Sequence, residues 1–312
     1  MDKRKMPDVA LDSSLYAPLD QVGMGDIEVP VLLAADDGAL FRVPAKVSAK
    51  VSLDRASSRG IHMSRLYLLV QEHLGQKPLS FELLRELTDL FLSTHQDLSR
   101  HAFIEVRFEA PLKRKALKSD FRAWRSYPVT LSAENYEGTV RVFAEILVMY
   151  SSTCPASAAL SRQLIQENFS RDFRSRDDFT VDDVHQWLGG ASGVLATPHA
   201  QRSEARVKVE IVCGHGPAAG ASTDFGFATL IDTVEEALQT PVQGAVKRED
   251  EQEFALRNGQ NLMFCEDAAR RIKSALDEVG PVNAYRVFVK HLESLHPHNA
   301  EALVTHGSIP SF

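Results

Sequence analysis

Residues that could do chemistry are concentrated in two stretches of this 312-residue sequence. The first is Tyr150-Ser-Ser-Thr-Cys-Pro-Ala-Ser157, in which Cys154 follows an alternating apolar run from Thr139 to Met149. Pro155 has no N–H and resists continuing a sheet ladder, so the chain turns there. A thiol at such a strand end can ligate a metal or act as a nucleophile. A free cysteine is more often a small buried hydrophobe, and the local sequence by itself favours that reading. The second stretch is His291-Leu-Glu293-Ser-Leu-His296-Pro-His298, with three imidazoles and a carboxylate within eight residues. These are donors that a borderline metal such as Zn²⁺ accepts, and imidazoles also move protons near neutral pH.

The elements that must position these residues can be read from hydropathy patterning. Residues 1 to about 20 carry no sustained period and read as a flexible arm. Ile27, Val29, Val31 and Leu33 alternate, and Asp36-Asp-Gly38 supplies turn residues after them. Val43 to Leu53 alternates with Lys46, Ser48, Lys50 and Ser52, the pattern of an antiparallel strand with one wet face. Helical spacing follows from about Ser64 to Leu74, and again after Ser80, which caps a segment ending near His95. Strands are expected at Phe103 to Phe108 and Tyr127 to Ala133, joined by a basic loop with Lys113-Arg-Lys115. The order then repeats. Strands fall at Val140 to Val148 and Val207 to Ile211, helices at Leu230 to Leu238 and Glu266 to Val279, and strands at Ala284 to Leu292 and Ala300 to Thr305.

Each half therefore reads β-β-α-α-β-β, and the chain divides into a first module over 21–136 and a second over 137–312. The halves differ at their first hairpin, which in the second module stretches from Tyr150 to Glu204. A connection that long tends to fold locally or to carry function. Residues 157–193 contain helical signals, including Thr180-Val-Asp-Asp183 as a capping box. The connection ends at His199-Ala-Gln-Arg202-Ser203, so Cys154 and His199 flank paired strands and should approach one another.

Four other polar stretches have bland readings beside the chemical ones. Gly60-Ile-His62-Met-Ser64-Arg65 precedes a helix whose N–H groups could hold an anion, and Ser64 could equally be a simple cap. Lys113-Arg-Lys115 could bind phosphate or be solvated. Lys247-Arg-Glu249-Asp250-Glu251 reads as a solvated loop. Gly214-His-Gly216-Pro-Ala-Ala-Gly220 lacks the Lys-Ser/Thr of a P-loop and reads as a flexible turn.

The bulk numbers exclude several classes of function. At 44% hydrophobic and 25% charged residues, the chain has the composition of a globular protein. A net charge of −7 argues against broad nucleic-acid binding. Three widely spaced cysteines are no disulfide framework and suit a reducing cytoplasm. No apolar run approaches the roughly 20 residues that span a bilayer, so no membrane partner is expected.

With these residues in view, the chain resembles the type IB GTP cyclohydrolases of the tunnelling-fold superfamily. The resemblance rests on Gly60-Ile-His-Met-Ser-Arg65, Thr153-Cys-Pro155, His199-Ala-Gln-Arg-Ser203, Asp250-Glu251, Glu266-Asp267 and Glu293-Ser-Leu-His-Pro-His298, in that order. It implies an α+β fold of two tandem ββααββ modules, with antiparallel sheets, helices on one face, and homotetramers with active sites at subunit boundaries. It also implies conversion of GTP to 7,8-dihydroneopterin triphosphate with loss of formate, the entry to folate and other pterins. The implied ligands of a divalent metal (Zn²⁺, Mn²⁺ or Fe²⁺) are Cys154, His199, Glu251 and His296. Glu293 is a further candidate ligand. Glu266 would anchor guanine, and Arg202, Arg65 and His62 would hold the triphosphate, with Lys113-Arg-Lys115 as a second possibility. Cys154, His298 and Glu293 are the implied catalytic groups, His298 transferring protons with Glu293 behind it. In many members of that family the cysteine and histidine stand about a dozen residues apart, so the 157–193 segment reads as an insertion between two site residues. Two alternatives are a nitrile reductase of the queuosine pathway, whose Glu-Ser-Lys-Ser-type segment is missing here, and a scaffold that binds a purine or pterin without turning it over.

Overall fold

A computed structural model describes residues 17–34, 39–212 and 226–311. The strands are β1 (Leu19–Ala34), β2 (Leu40–Leu53), β3 (His101–Lys115), β4 (Arg122–Tyr136), β5 (Thr139–Thr153), β6 (Ala200–Ile211), β7 (Val282–His291) and β8 (Ala300–His306). They form one antiparallel sheet in sequence order, so each strand pairs with its chain neighbours and β1 and β8 are its edges. The helices are α1 (Met63–Leu74), α2 (Phe81–Thr94), α3 (Pro155–Phe173), α4 (Val181–Gly189), α5 (Phe227–Leu238), α6 (Arg248–Gln260) and α7 (Cys265–Asp277).

Strand alternation decides which face is covered. Val43, Ala45, Val47, Ala49 and Val51 of β2 are buried, whereas Lys46, Ser48 and Lys50 between them are not. Against the apolar face lie Leu66, Val70 and Leu74 of α1, spaced four apart, and Leu83, Leu84, Leu87 and Phe91 of α2. Leu230, Ile231, Val234 and Leu238 of α5 join the same core, as do Ala268, Ile272 and Leu276 of α7. The expected α+β class with helices on one sheet face is observed. Ser80 caps α2 as expected, its Oγ accepting from the Leu83 N–H at 3.1 Å.

Two local expectations are corrected. Lys113 to Lys115 are no loop but the end of β3, paired with β4 through Lys115↔Arg122. Lys247 to Glu251 are no loop either, because Lys247 caps α6 and the three acidic residues after Arg248 fill its first turn. Carboxylates there suit the helix dipole, and the sequence conceals the helix because α6 is polar on almost every side. Apart from the α3–α4 insertion, the second half therefore carries one helix more than the repeat predicts. Of the N-terminal arm, 1–16 lie outside the described residues and β1 already begins at Leu19. The Asp36-Asp-Gly38 turn and the Gly214 to Gly220 stretch also lie outside them.

The α3–α4 hairpin folds on a small core of its own. Phe169 stacks on Phe173 at 4.5 Å between ring centroids, and Trp187 meets Phe169 edge-on at 5.4 Å. The Thr180–Asp183 capping box opens α4 as expected. Asn168 donates to the carbonyls of Ser192 and Gly193 and so closes the hairpin. A Cβ at Gly193 would stand 1.9 Å from the Trp187 carbonyl oxygen, so only glycine fits there.

The sheet has two rims. At one, β2 ends at Leu53, β3 begins at His101, and β4 turns into β5 between Tyr136 and Thr139. At the other stand the β3–β4 tip, the Thr153 end of β5, the Ala200 start of β6 and the β7–β8 tip. β5 joins the two rims over 15 residues, on the order of 45 Å at about 3.3 Å per residue. The halves of the chain interlock near the second rim. The Tyr127 ring of β4 lies beneath the Arg114 and Arg125 guanidinium groups at 5.2 and 4.8 Å, and its hydroxyl donates to Glu235 of α5 at 2.8 Å. Burial pushes that phenol up to about 12, with the nearby Glu235 charge adding to the effect. No helix among the described residues is long and apolar enough to cross a membrane.

Candidate active site

Cys154 and His199 are joined at the mouth of the long β5–β6 connection. The Cys154 N–H donates to the His199 carbonyl at 3.3 Å, continuing the β5–β6 ladder one step past Thr153↔Ala200. Pro155 does stop the ladder, and it does so by opening α3 with Cys154 as its cap. Ser157 ties the two together. Its N–H donates to Cys154 Sγ at 3.5 Å, and its Oγ accepts from the His199 N–H at 3.1 Å. Both side chains are half-buried, so Cys154 is not the core thiol that its local sequence allowed.

Behind them the apolar face of the sheet turns polar for its last two rows. His199 Nδ1 lies 2.9 Å from Gln201 Oε1, and Gln201 Nε2 donates to Ser152 Oγ at 2.9 Å. Ser152 Oγ is 2.8 Å from Ser203 Oγ and 3.3 Å from His291 Nδ1, and His291 Nε2 is 2.9 Å from the Tyr150 hydroxyl. Ser152, Ser203, Tyr150 and His291 are all buried. Burial drives the His291 imidazole down to about 4 against the opposing pull of the Glu293 and Glu266 carboxylates. The ring is therefore neutral at physiological pH and serves as a hydrogen-bonding group inside the sheet.

The β7–β8 tip carries the remaining histidines. His296 and His298 are exposed and stacked on one another, with ring centroids 5.0 Å apart. The tip is tied to the Cys154–His199 pair by Ser294, whose Oγ is 3.4 Å from His199 Nδ1, and by the Leu292 N–H, which donates to the Arg202 carbonyl. Glu266 stands in the first turn of α7, reached from β5 through a Met263 N–H to Thr153 carbonyl bond of 3.1 Å. Its own backbone N–H, then the Cys265 thiol, hold the Glu266 carboxyl below the usual range, so it is an exposed anion.

Other site residues named from the sequence stand apart. Glu251 is in the first turn of α6, whereas Asn258 in its later part is what meets β5, accepting from Ser151 Oγ at 2.7 Å. Those positions are about 10 Å apart along the helix. Among the described residues, no three His, Cys, Asp or Glu side chains converge closely enough to hold a metal ion. Asp250, beside Glu251, is fully buried, and its carboxylate accepts from the Lys118 and Ser119 N–H groups and from Ser119 Oγ. It is thus a clamp on the β3–β4 tip. Arg114 is likewise engaged, 2.6 Å from Asp232, which leaves Lys113 and Lys115 as the exposed cations of the basic run.

His62 and Arg65 belong to the opposite rim. His62 caps α1, and Arg65 donates to the Thr94 carbonyl at the end of α2, close to where Asp54 pairs with Leu98. The length of β5 separates them from Cys154 of the same chain. Arg202 is near Cys154 in the ladder but, by strand alternation, on the face opposite Gln201 and Ser203. That helix-free face holds a groove of about 780 Å³ lined by Lys46, Arg107, Glu145 and Arg206 among others. It lies mid-sheet and includes neither Cys154 nor any of the histidines, so the rim is the better candidate for chemistry.

Sequence reasoning missed Gln201, Ser152, Ser203 and Tyr150. The signal was present: the alternation through Ala205, Val207 and Val209 puts Gln201 and Ser203 on the apolar stripe, where a polar residue needs a partner.

A family model described as type I GTP cyclohydrolase folE2 matches residues 6–302. Similar proteins include the GTP cyclohydrolase FolE2 of Bdellovibrio bacteriovorus, 60% identical over 98% of both chains. That of Hydrogenovibrio crunogenus is 46% identical over 96% of this chain and 94% of its own. Among solved structures, the uricase of Arthrobacter globiformis covers 96% of this chain and 98% of its own at a TM-score of 0.50 and 9% identity. The uricase of Bacillus fastidious covers 92% of each at 0.50 and 10%. These two likenesses show the fold alone, the tunnelling fold.

Proposed function

The chain belongs to the type I GTP cyclohydrolase folE2 family, and on that premise we propose that it hydrolyses the guanine of GTP at C8. Formate is released and 7,8-dihydroneopterin triphosphate forms, at the entry to folate and other pterins. The observation that supports this most is the pairing of Cys154 with His199 through Ser157, at the rim that also carries Glu266 and the Glu293 to His298 tip.

In chemical type, though not in their convergence among the described residues of one chain, the donors suit a divalent ion. Cys154 offers sulfur, His199 has its Nδ1 engaged and its Nε2 unpartnered among the described residues, and His296 is exposed on the tip beside them. These three are the proposed ligands, with Glu293 or Glu251 as the fourth donor; Glu293 shares the tip with His296, whereas Glu251 stands at the other tip. Zn²⁺, Mn²⁺ and Fe²⁺ all accept such a mixture. A metal bound there would supply the Lewis acidity that makes water nucleophilic at neutral pH.

The chain's own residues account for binding and proton movement. The Glu266 carboxylate accepts from guanine N1–H and the 2-amino group, one donor for each of its two oxygens. His298 moves protons during ring opening and reclosure, with Glu293 as its anionic neighbour. Arg202 meets the triphosphate from this chain. His62 and Arg65 reach the same nucleotide from a second copy, since in one chain the sheet separates them from Cys154. A homotetramer closed through the free edges β1 and β8 would bring opposite rims of different copies together, and a cytoplasmic location suits a reduced Cys154. The test is GTP turnover by metal-stripped protein reloaded with single metals, alongside Cys154→Ala. The reading predicts formate release by the reloaded wild type and its loss in the variant; full activity of Cys154→Ala with every metal would overturn it.

A further inference from the structure

Gln201 is a buried amide whose two ends face different groups. It is 8% exposed, and it stands directly opposite Ser152 in the β5–β6 register. Its Nε2 donates to Ser152 Oγ, and its Oε1 faces His199 Nδ1, both at 2.9 Å. Ser152 is held in turn by Ser203 and by His291, which rests on the Tyr150 hydroxyl. Each member of this network has a hydrogen-bonding partner at 3.3 Å or less. Ser152 Oγ accepts from Gln201 Nε2, which leaves the Gln201 carbonyl oxygen aimed at His199. A carbonyl oxygen can only accept, so the nitrogen facing it must carry the hydrogen.

A neutral imidazole has one N–H, and the group that one ring nitrogen meets decides the state of the other. We infer that Gln201 is a positioning residue whose side-chain carbonyl, anchored through Ser152 to the buried His291–Tyr150 pair, holds His199 as the Nδ1–H tautomer. The Nε2 of His199 is thereby left carrying a lone pair. The inference rests on His199 being a ligand in the proposed reaction, and it gives the unusual polar end of an otherwise apolar sheet face a purpose. Ligand histidines are ordinarily oriented by such an acceptor, and its loss typically weakens metal binding by about 10- to 100-fold. Ser294 Oγ, 3.4 Å from the same nitrogen, sits on the exposed tip and is too distant to set the tautomer by itself.

The test reads the tautomer directly. Long-range proton–nitrogen NMR of metal-stripped, ¹⁵N-labelled full-length protein, at a pH where the ring is neutral, distinguishes Nδ1–H from Nε2–H. The His199 signals are assigned by their disappearance in His199→Asn. The wild type is expected to show Nδ1–H. Gln201→Met, similar in shape but without the carbonyl, is expected to lose that preference, and Gln201→Glu, which keeps an acceptor, to retain it. Titration with Co²⁺, followed by the thiolate-to-cobalt absorption from Cys154, is expected to show about 10- to 100-fold weaker binding in Gln201→Met and recovery in Gln201→Glu. An Nε2–H ring in the wild type overturns the inference whether or not any variant folds. So does an unchanged Nδ1–H ring in Gln201→Met, or loss of Nδ1–H in Ser294→Ala. The expected tautomers and cobalt binding, without formate release from GTP, would sink the cyclohydrolase reading and leave the role of Gln201 standing. Formate release from a wild type with an Nε2–H ring would do the reverse.

Discussion

Two hairpin tips share one rim of the sheet, and both are dense in polar residues, yet they are built in opposite ways. At the β3–β4 tip the backbone N–H groups of Lys118 and Ser119 and the Ser119 hydroxyl all donate to the buried Asp250 carboxylate, at 2.6 to 2.8 Å. The Lys247 ammonium lies 4.6 Å from the Phe121 ring on the same tip. At the β7–β8 tip, residues 294–299 are exposed, and the hydrogen bonds that fix it are the Leu292 bond to Arg202 and the long Ser294 contact to His199. Charge density is therefore no guide to function on this rim. What separates the tips is whether their polar atoms are already satisfied: Asp250 is fully committed to the fold, whereas among the described residues the rings of His296 and His298 meet only each other.

The widest separation between the tips should come from His298→Ala. Loss of a proton-transfer group lowers kcat for formate release by roughly 10²- to 10⁴-fold, while an exposed side chain without fold contacts leaves the unfolding free energy within about 0.5 kcal/mol. A variant that unfolds at a much lower temperature would show that the second tip is structural after all. Asp250→Asn should do the opposite, with a clear fall in melting temperature. Burial alone would raise the Asp250 carboxyl, but hydrogen bonds from Ser119, Lys247 and Lys118 hold it well below its ordinary 3.8. The folded chain thus keeps the carboxylate ionised where the unfolded chain has begun to protonate it. The stability it contributes is complete above about pH 4 and is lost as pH falls towards the depressed folded value. Thermal melts of wild type and Asp250→Asn at neutral pH and near pH 3 check this: the gap should be wide at neutral pH and narrower in acid. A gap that widened in acid would contradict the clamp.

Much of the fold was legible in the sequence because two-residue alternation and four-residue spacing are what burial against one sheet face demands. Lys46, Ser48 and Lys50 set against Val43 to Val51 fixed β2 and its wet face without any structure. α6 was not legible, because a helix held by a cap and one buried carboxylate needs no apolar stripe, and its acidic first turn imitates a solvated loop. The junction of Cys154 with His199 followed from the sequence alone, since the ends of a hairpin connection must meet however long the excursion between them. Glu251 and the pair His62 and Arg65 show where that logic stops. Motifs give their order along the chain, but only the sheet reveals that α6 carries Glu251 to the other tip and that β5 holds the Gly60 to Arg65 segment a full strand length away.

The finest difference between the tips concerns the cations left over on the first one. Arg114 is spent on Asp232 and the Tyr127 ring, while Lys115 is exposed and without a salt bridge among the described residues. If the first tip serves only to be clamped, Lys115→Ala should change KM for GTP by no more than about twofold, which is what roughly 0.5 kcal/mol amounts to. Arg202→Ala, beside Cys154 in the ladder, should raise KM by far more. Steady-state formate release at two ionic strengths checks both, because a lysine that met the triphosphate would lose its effect as salt screens it. A large, salt-sensitive rise in KM for Lys115→Ala would make the clamped tip part of the nucleotide site, with Asp250 then holding a binding arm in position.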